Sequence, residues 1–365
     1  MTNGHIPKIV YLFGAGATHA ERVLACKLKR TGLNGTGGIE RGLLARDVSK
    51  RVIDNLLIKS PKLFDKYDIT PSTLSPLVPP SPDIDVELLI SLLEMINTTQ
   101  AHQDALTIRE SFKKDICDHL SVGGDRIQSK LFSSLIEWHT RTENNDEKLL
   151  GFLTLNHDSE LENALKLVDE KFDYGVNIKT AGHLEYPHEL GSPFLLLKLH
   201  GSFDWELDSI TKRIILSSNA SSGTLQWIPP SLNKEYLNYP YNIIHGKAYE
   251  LLTDCDILRV IGCALSKNNI GLISLLFKTQ HKKPKPFTIE IVGNRGGVRR
   301  LTKKLGIFME FEEQFYDKYD KWLSENGAES GNYFLDWLSY KIASAPKVNV
   351  SNTTYLKQVP QWIKK

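Results

Sequence analysis

Cysteine is scarce in this chain and badly placed for any framework. Cys26, Cys117, Cys255 and Cys263 are the only four in 365 residues, and none forms a C-x-x-C pair. That excludes a zinc ribbon and a disulfide scaffold, so no metal is expected and a reducing compartment is. Long hydrophobic runs are missing too. No apolar stretch approaches the ~18 residues needed to cross a bilayer, and Met1 to Lys8 lack the basic-then-apolar order of a signal peptide. A cytoplasmic protein is the expectation. Neither sign of charge is in excess: 45 Lys and Arg stand against 43 Asp and Glu, a net +2. That balance gives no ground for a nucleic-acid or membrane partner.

What the chain does have is core material, 41% hydrophobic residues with 24% charged, as in globular proteins. Ile9-Val10-Tyr11-Leu12-Phe13 reads as a buried strand that ends in Gly14-Ala15-Gly16-Ala17-Thr18, and Ala20 to Lys29 continues as a helix. Leu149 to Leu153 and Pro193 to Leu197 are further apolar runs, as are Ile257 to Gly262 and Phe287 to Val292. Arg213 to Leu216 is a strand candidate, and Leu225 to Pro230 reads as an apolar loop. Strands alternating with helical spacing predict an α/β fold, a Rossmann-like, mostly parallel sheet with helices on both faces. Val86, Leu89, Ile90, Leu93 and Ile96 keep helical spacing, so a helical insertion over about 50–148 is expected inside a domain of residues 1–310. Residues 311–365 form an aromatic-rich C-terminal extension, including Phe315, Tyr319, Trp322, Phe334 and Trp337, suited to packing or assembly.

Three polar groups stand directly after buried strands. Thr154-Leu155-Asn156-His157-Asp158 follows one, and Lys198-Leu199-His200-Gly201-Ser202 follows another. Open α/β sheets bind ligands at that carboxyl edge. Asn156 and Asp158 are two apart, which puts their side chains on one side of an extended segment, while His157 faces away as a structural residue. A turn held by local hydrogen bonds is the competing reading of this pair. His200 suits general-base work because imidazole titrates near neutrality. Gly14 and Gly16 allow close backbone approach, and the helix start offers N–H groups to a phosphate, although such a glycine pair can also serve packing alone. The acidic residue that hydride-transfer enzymes place ~20 residues later is not evident, which weighs against a dehydrogenase. An amide, a carboxylate and an imidazole beside a phosphate cradle suggest a ribosyl-bond site.

The ordered set Gly14-Ala15-Gly16-Ala17-Thr18, Thr154 to Asp158, Leu199-His200-Gly201, Gly262-Cys263-Ala264-Leu265-Ser266 and Gly293-Asn294 resembles the NAD-binding pattern of the sirtuin fold. With Trp205 and Ile228-Pro229-Pro230 it is most similar to the sirtuin-like proteins of bacterial antiphage defence. The resemblance implies catalytic roles for Asn156, His200 and Asp158. It implies NAD contacts for Gly14, Ala15, Gly16, Ala17, Thr154, Gly262, Ser266 and Asn294. Deacetylating sirtuins carry paired C-x-x-C motifs and a glutamine where Leu155 stands, so the resemblance implies NAD hydrolysis to ADP-ribose and nicotinamide, NAD being the substrate, and not peptide deacetylation. An effector of that kind is expected to be a homo-oligomer. It is expected to be held inactive by a separate partner, such as a HerA-type ATPase, or by a nucleotide signal. A sensor that binds NAD without cleaving it, or a protein ADP-ribosyltransferase, is the alternative.

Overall fold

The protein is described by a computed structural model covering residues 5–32, 45–67, 86–96, 98–121, 130–140, 146–180, 194–208, 210–211, 213–216, 224–229, 234, 236–263, 269–293, 298, 302, 306, 321 and 332–344. The chain forms two compact units. One comprises Met1–Gly37, Ile127–Trp227 and Tyr236–Lys365, the other Gly38–Arg126 and Ile228–Glu235.

The first unit is built on a six-stranded sheet. Its strands are β1 (Lys8–Phe13), β2 (Lys148–Thr154), β3 (Phe172–Asp173), β5 (Phe194–Lys198), β9 (Ile257–Ile261) and β10 (Thr288–Val292), in the order β10-β9-β1-β2-β5-β3, and every pairing is parallel. Strands buried on both faces need apolar residues at every position, and β1 shows why. Ile9, Tyr11 and Phe13 enter one core, and Val10 and Leu12 enter the other. The first core is closed by α1 (Ala15–Gly32), α6 (Lys130–Thr140), α7 (Glu160–Leu167) and α10 (Tyr333–Ser344), through Ala17, Phe132, Leu165 and Trp337. The second is closed by α8 (Tyr241–Asp254) and α9 (Ile270–Lys282), through Ile244, Leu252 and Leu276. From β1 the chain forms β2 beside it, then the edge strand β3 and β5 between β2 and β3, and returns to the other side of β1 with β9 and β10. The strand order therefore reverses between β1 and β9, the place where such sheets open a crevice for ligands.

The strand candidate from Arg213 belongs to a second, four-stranded sheet. That sheet contains β4 (Ile178–Thr180), β6 (Gly201–Leu207), β7 (Ile214–Leu216) and β8 (Thr224–Trp227), in the order β4-β7-β6-β8. The expected apolar loop from Leu225 thus begins as a strand, paired antiparallel to β6. In the described part of the C-terminal extension, Phe334 and Trp337 are fully buried against β1.

The other unit consists of α2 (Ala45–Lys59), α3 (Pro61–Asp65), α4 (Val86–Met95) and α5 (Thr99–Ser121) with the 228–235 segment. Val52, Leu56, Leu89, Leu93, Ala105 and Ile108 are buried at helical spacing. Arg51 grips Asp115 with Nε and Nη2, and Lys234 reaches Glu87 at 2.5 Å. α6 packs on α7 in the sheet unit, so the helices between β1 and β2 are divided between the two units.

A buried ionic network crosses the first core. Arg259 pairs in register with Tyr11 on one side and Glu290 on the other. Its guanidinium takes both oxygens of Glu147 at 2.5 Å, one oxygen of Glu290 at 2.5 Å, and the Tyr11 hydroxyl at 3.1 Å. Lys341 adds a 2.9 Å bond to Glu147, so two cations face two carboxylates. Burial works against ionising Glu147, but Arg259 and Lys341 outweigh it and hold its carboxyl well below the usual range. Tyr11 also meets His139 Nε2 at 2.8 Å. Enclosure pushes that imidazole down to about 3; Glu147 opposes the shift, and Arg259 and Lys341 reinforce it.

Removing the central cation leaves two buried carboxylates with one cation, Lys341, between them. Arg259→Leu is expected to cost about 3–5 kcal/mol, read by equilibrium urea unfolding. A histidine that is neutral when folded and protonates near 6.5 when unfolded binds fewer protons in the fold between those values, so stability rises with pH there. The advantage of wild type over His139→Gln should accordingly shrink as pH falls from about 6.5 towards about 3. Thermal midpoints across that range check it.

Candidate functional site at the carboxyl edge

β1 hands over to α1 through Gly14, whose N–H donates to the carbonyl of Ile261 at 3.0 Å. Gly16 N–H donates to the Gly262 carbonyl at 2.9 Å, and Gly262 N–H to Val292 at 3.1 Å. Space here is very short. A Cβ on Gly262 would lie 2.1 Å from the Ala17 nitrogen, and its φ of +64° suits glycine. A Cβ on Gly14 would lie 2.7 Å from Cys263 Cα. Gly14 and Gly16 therefore have a packing role, and their N–H groups already have acceptors. The N–H of Ala15, partly exposed between them, has no backbone acceptor among the described residues.

Parallel register carries the next groups to the same edge. Phe13 pairs with Thr154, and Thr154 with Lys198, so Asn156 and His200 each stand two residues beyond a paired position. Leu155 N–H bonds the Phe13 carbonyl and Leu199 N–H the Thr154 carbonyl, which extends the ladder past the strand ends. Thr154 Oγ1 accepts the Asn156 N–H at 3.0 Å and turns the chain.

Asn156 is buried, and its Nδ2 donates to the Gly14 carbonyl at 3.1 Å and to Thr18 Oγ1 at 2.9 Å. Because a carbonyl can only accept, the amide is fixed with nitrogen towards the glycine turn. Its Oδ1 faces the other way as an acceptor. Thr18 in turn donates to Asp158 Oδ2 at 3.0 Å. One hydroxyl thus joins Asn156 to Asp158, on the same side as expected. Thr18 was quoted in the glycine motif but not singled out. Asp158 Oδ1 also receives the Glu160 N–H at the start of α7, so part of its role is the local turn chemistry of the competing reading.

His157 is structural. Its carbonyl accepts Ser202 Oγ at 3.0 Å and Phe203 N–H at 3.2 Å, tying the two strand ends together, and its ring packs on Phe203 and Trp227. His200 is buried, 6.0 Å from the His157 ring and 6.1 Å from the Tyr236 ring, with Tyr236 Oη 3.4 Å from Nε2. Gly201 follows at φ +71°, where a Cβ would lie 2.1 Å from the Gln226 carbonyl. The turn that aims His200 accepts no other residue without distortion. Ser266 and Asn294 lie outside the described residues.

Solved Sir2 structures are similar to this chain. One, titled for the mechanism and regulation of Sir2 enzymes, shares 13% identity at a TM-score of 0.34, covering 80% of this chain and 82% of that one. A Sir2 homologue–NAD complex shares 14% at 0.34, covering 82% and 90%. A structure titled for sirtuin substrate affinity shares 10% at 0.27, covering 82% and 93%. No protein-family model and no curated protein matches the chain. The site is accordingly read from its own residues.

Lys198 is a residue that strand periodicity hides. It is fully buried, with Nζ 2.5 Å from the Asp158 carbonyl and 2.6 Å from Glu162 Oε1. Tyr174 bonds the same Glu162 oxygen at 3.3 Å. Burial raises the Glu162 carboxyl above its ordinary value, with Lys198 opposing and Asp204 reinforcing the shift. The lysine fixes the Asn156 to Asp158 segment from below. Lys198→Met should cost about 3–5 kcal/mol by stranding Glu162, and adding Glu162→Met should recover much of it, because an apolar pair replaces a buried ionic one at little net cost. Denaturant unfolding of the single and double variants tests the pairing.

Proposed function

We propose that this chain binds NAD at the carboxyl edge between β1, β2, β5 and β9 and hydrolyses its nicotinamide–ribosyl bond. The observation that carries the reading is the register that brings Asn156 and His200 to one edge, beside the Gly16 to Gly262 bond at the reversal of strand order. A dinucleotide lying across that reversal would place its pyrophosphate near the start of α1. There the Ala15 N–H and the positive end of the helix would meet it, since the glycine amides are already bonded.

Asn156 can offer only its Oδ1, because its nitrogen is held by Gly14 and Thr18. An acceptor suits orientation of a water or a ribose hydroxyl through its proton. The C1′–N bond breaks with its electron pair leaving on neutral nicotinamide, a water oxygen bonds to C1′, and His200 takes the water's proton before releasing it to solvent. Asp158 holds Thr18 and through it the amide. The products are ADP-ribose, nicotinamide and a proton. Hydrolysis of this kind would exhaust the dinucleotide of its own cell. The reading therefore includes an effector of antiphage defence held in check by homo-oligomer assembly, by a separate partner such as a HerA-type ATPase, or by a nucleotide signal.

Nicotinamide release from NAD by the purified chain, alone and under conditions that drive assembly, tests the proposal. Asn156→Ala and His200→Ala are each expected to lower kcat at least a hundredfold, the usual worth of a positioned acid–base or orienting group. Turnover unchanged in both variants would end it. Label retained on protein from adenine-labelled NAD would identify a transferase, and NAD binding without nicotinamide release a sensor.

A further inference from the structure

Tyr236 lies outside every motif, yet its side chain meets the imidazole at the site. Its hydroxyl is 3.4 Å from His200 Nε2, and the two rings are 6.1 Å apart at 29°. The His157 ring lies at 6.0 Å and the same 29°. The imidazole thus has two rings stacked beside it. Tyr236 is itself held. His245 packs against it at 4.5 Å, and a Cβ on Gly271 would stand 2.2 Å from the Tyr236 ring, so glycine in α9 makes the slot it occupies. Burial lowers the His245 imidazole from its ordinary value, with the Leu199 carbonyl opposing; Nε2 lies 3.3 Å from that carbonyl, which can only accept, so that nitrogen carries a proton. The contacts close a ring: Leu199 holds His245, His245 holds Tyr236, Tyr236 meets His200, and His200 follows Leu199 in the chain.

We infer that Tyr236 is a positioning residue for His200, fixing the imidazole by stacking and supporting its protonated form through the hydroxyl. This rests on the NAD-cleaving reading of the same edge. The chemistry follows from what a phenol can do. It can donate to a neutral imidazole nitrogen or accept from an imidazolium N–H, and the bond to the charged form is roughly twice as strong. The hydroxyl therefore favours the state that a general-base step creates. A contact that is long before reaction tightens as the charge develops.

The test uses the full chain with Tyr236→Phe, which keeps the ring and removes the hydroxyl, and Gly271→Ala, which keeps the tyrosine and displaces its ring. Two readouts are taken: nicotinamide release as a function of pH, and the titration of His200 followed by imidazole NMR, which needs no turnover. Tyr236→Phe should lower kcat roughly five- to tenfold, the worth of one hydrogen bond, with KM within about twofold. Losing support for the imidazolium lowers the His200 titration point, so the acid limb and the NMR curve both move to lower pH, and Gly271→Ala moves them the same way. A His200 titration unchanged in Tyr236→Phe overturns the inference. If the wild-type chain releases no nicotinamide, the hydrolase reading fails, and the NMR shift alone still decides whether Tyr236 governs His200.

Discussion

The close approach of the start of α1 to the end of β9 governs everything at the carboxyl edge. Two backbone bonds, from Gly14 to Ile261 and from Gly16 to Gly262, set it, and the missing side chains at all three glycines permit it. Thr18 lies one turn further along the same helix, so its hydroxyl is placed by that contact. Asn156 and Asp158 are placed by Thr18 in turn. A shift of a few tenths of an ångström at Gly262 would be transmitted through two side-chain bonds to the amide. Positioned groups lose much of their effect when displaced by that order of distance.

The core beneath supplies the rigidity such placement needs. β1 is flanked by β2 and β9 and buried on both faces, so its register cannot slip without moving every side chain from one core to the other. The Arg259 network links three strands, β1, β9 and β10, to α6 and α10 through Glu290, Tyr11, Glu147, His139 and Lys341. An ionic cluster of this sort adds little net energy over an apolar core. What it supplies here is specificity of alignment, because each member has its partner only in one register.

The parts of the site that could be read from sequence share one property: their signal is local. An apolar run followed by Gly14-Ala15-Gly16 states strand, turn and helix in ten residues, and the runs before Thr154 and Lys198 do the same for β2 and β5. Of the second sheet only β7 left a signal, the apolar run after Arg213; β4 has three residues and β8 four, too short for alternation to emerge. Buried charges were hidden for a different reason. Lys198, Arg259 and Glu162 read as solvent-facing in any periodic pattern, and only the tertiary partner, 36 residues away for Lys198 and 112 for Arg259 with Glu147, makes their burial possible. Tyr236 and Thr18 act through single hydroxyls, which leave no trace in periodicity at all.

The bonding state of the glycine turn also bears on which reaction the edge could host. A turn whose glycine amides were free would hold a phosphate by several N–H groups, and binding alone would be a sufficient role. Here two of those amides are tied to β9 and the segment after it, and the described polar groups at this edge include the Asn156 oxygen, the His200 imidazole and the Ala15 N–H. Oxygen and imidazole lone pairs repel a phosphate and attract protons on water or hydroxyl groups. The two strand ends that carry them are, moreover, cross-linked through the His157 carbonyl, which holds their spacing whether or not a ligand is bound. Fixed acceptors serve the orientation of a water or a hydroxyl better than they serve storage of an anion, and the proposed hydrolysis rests on that preference.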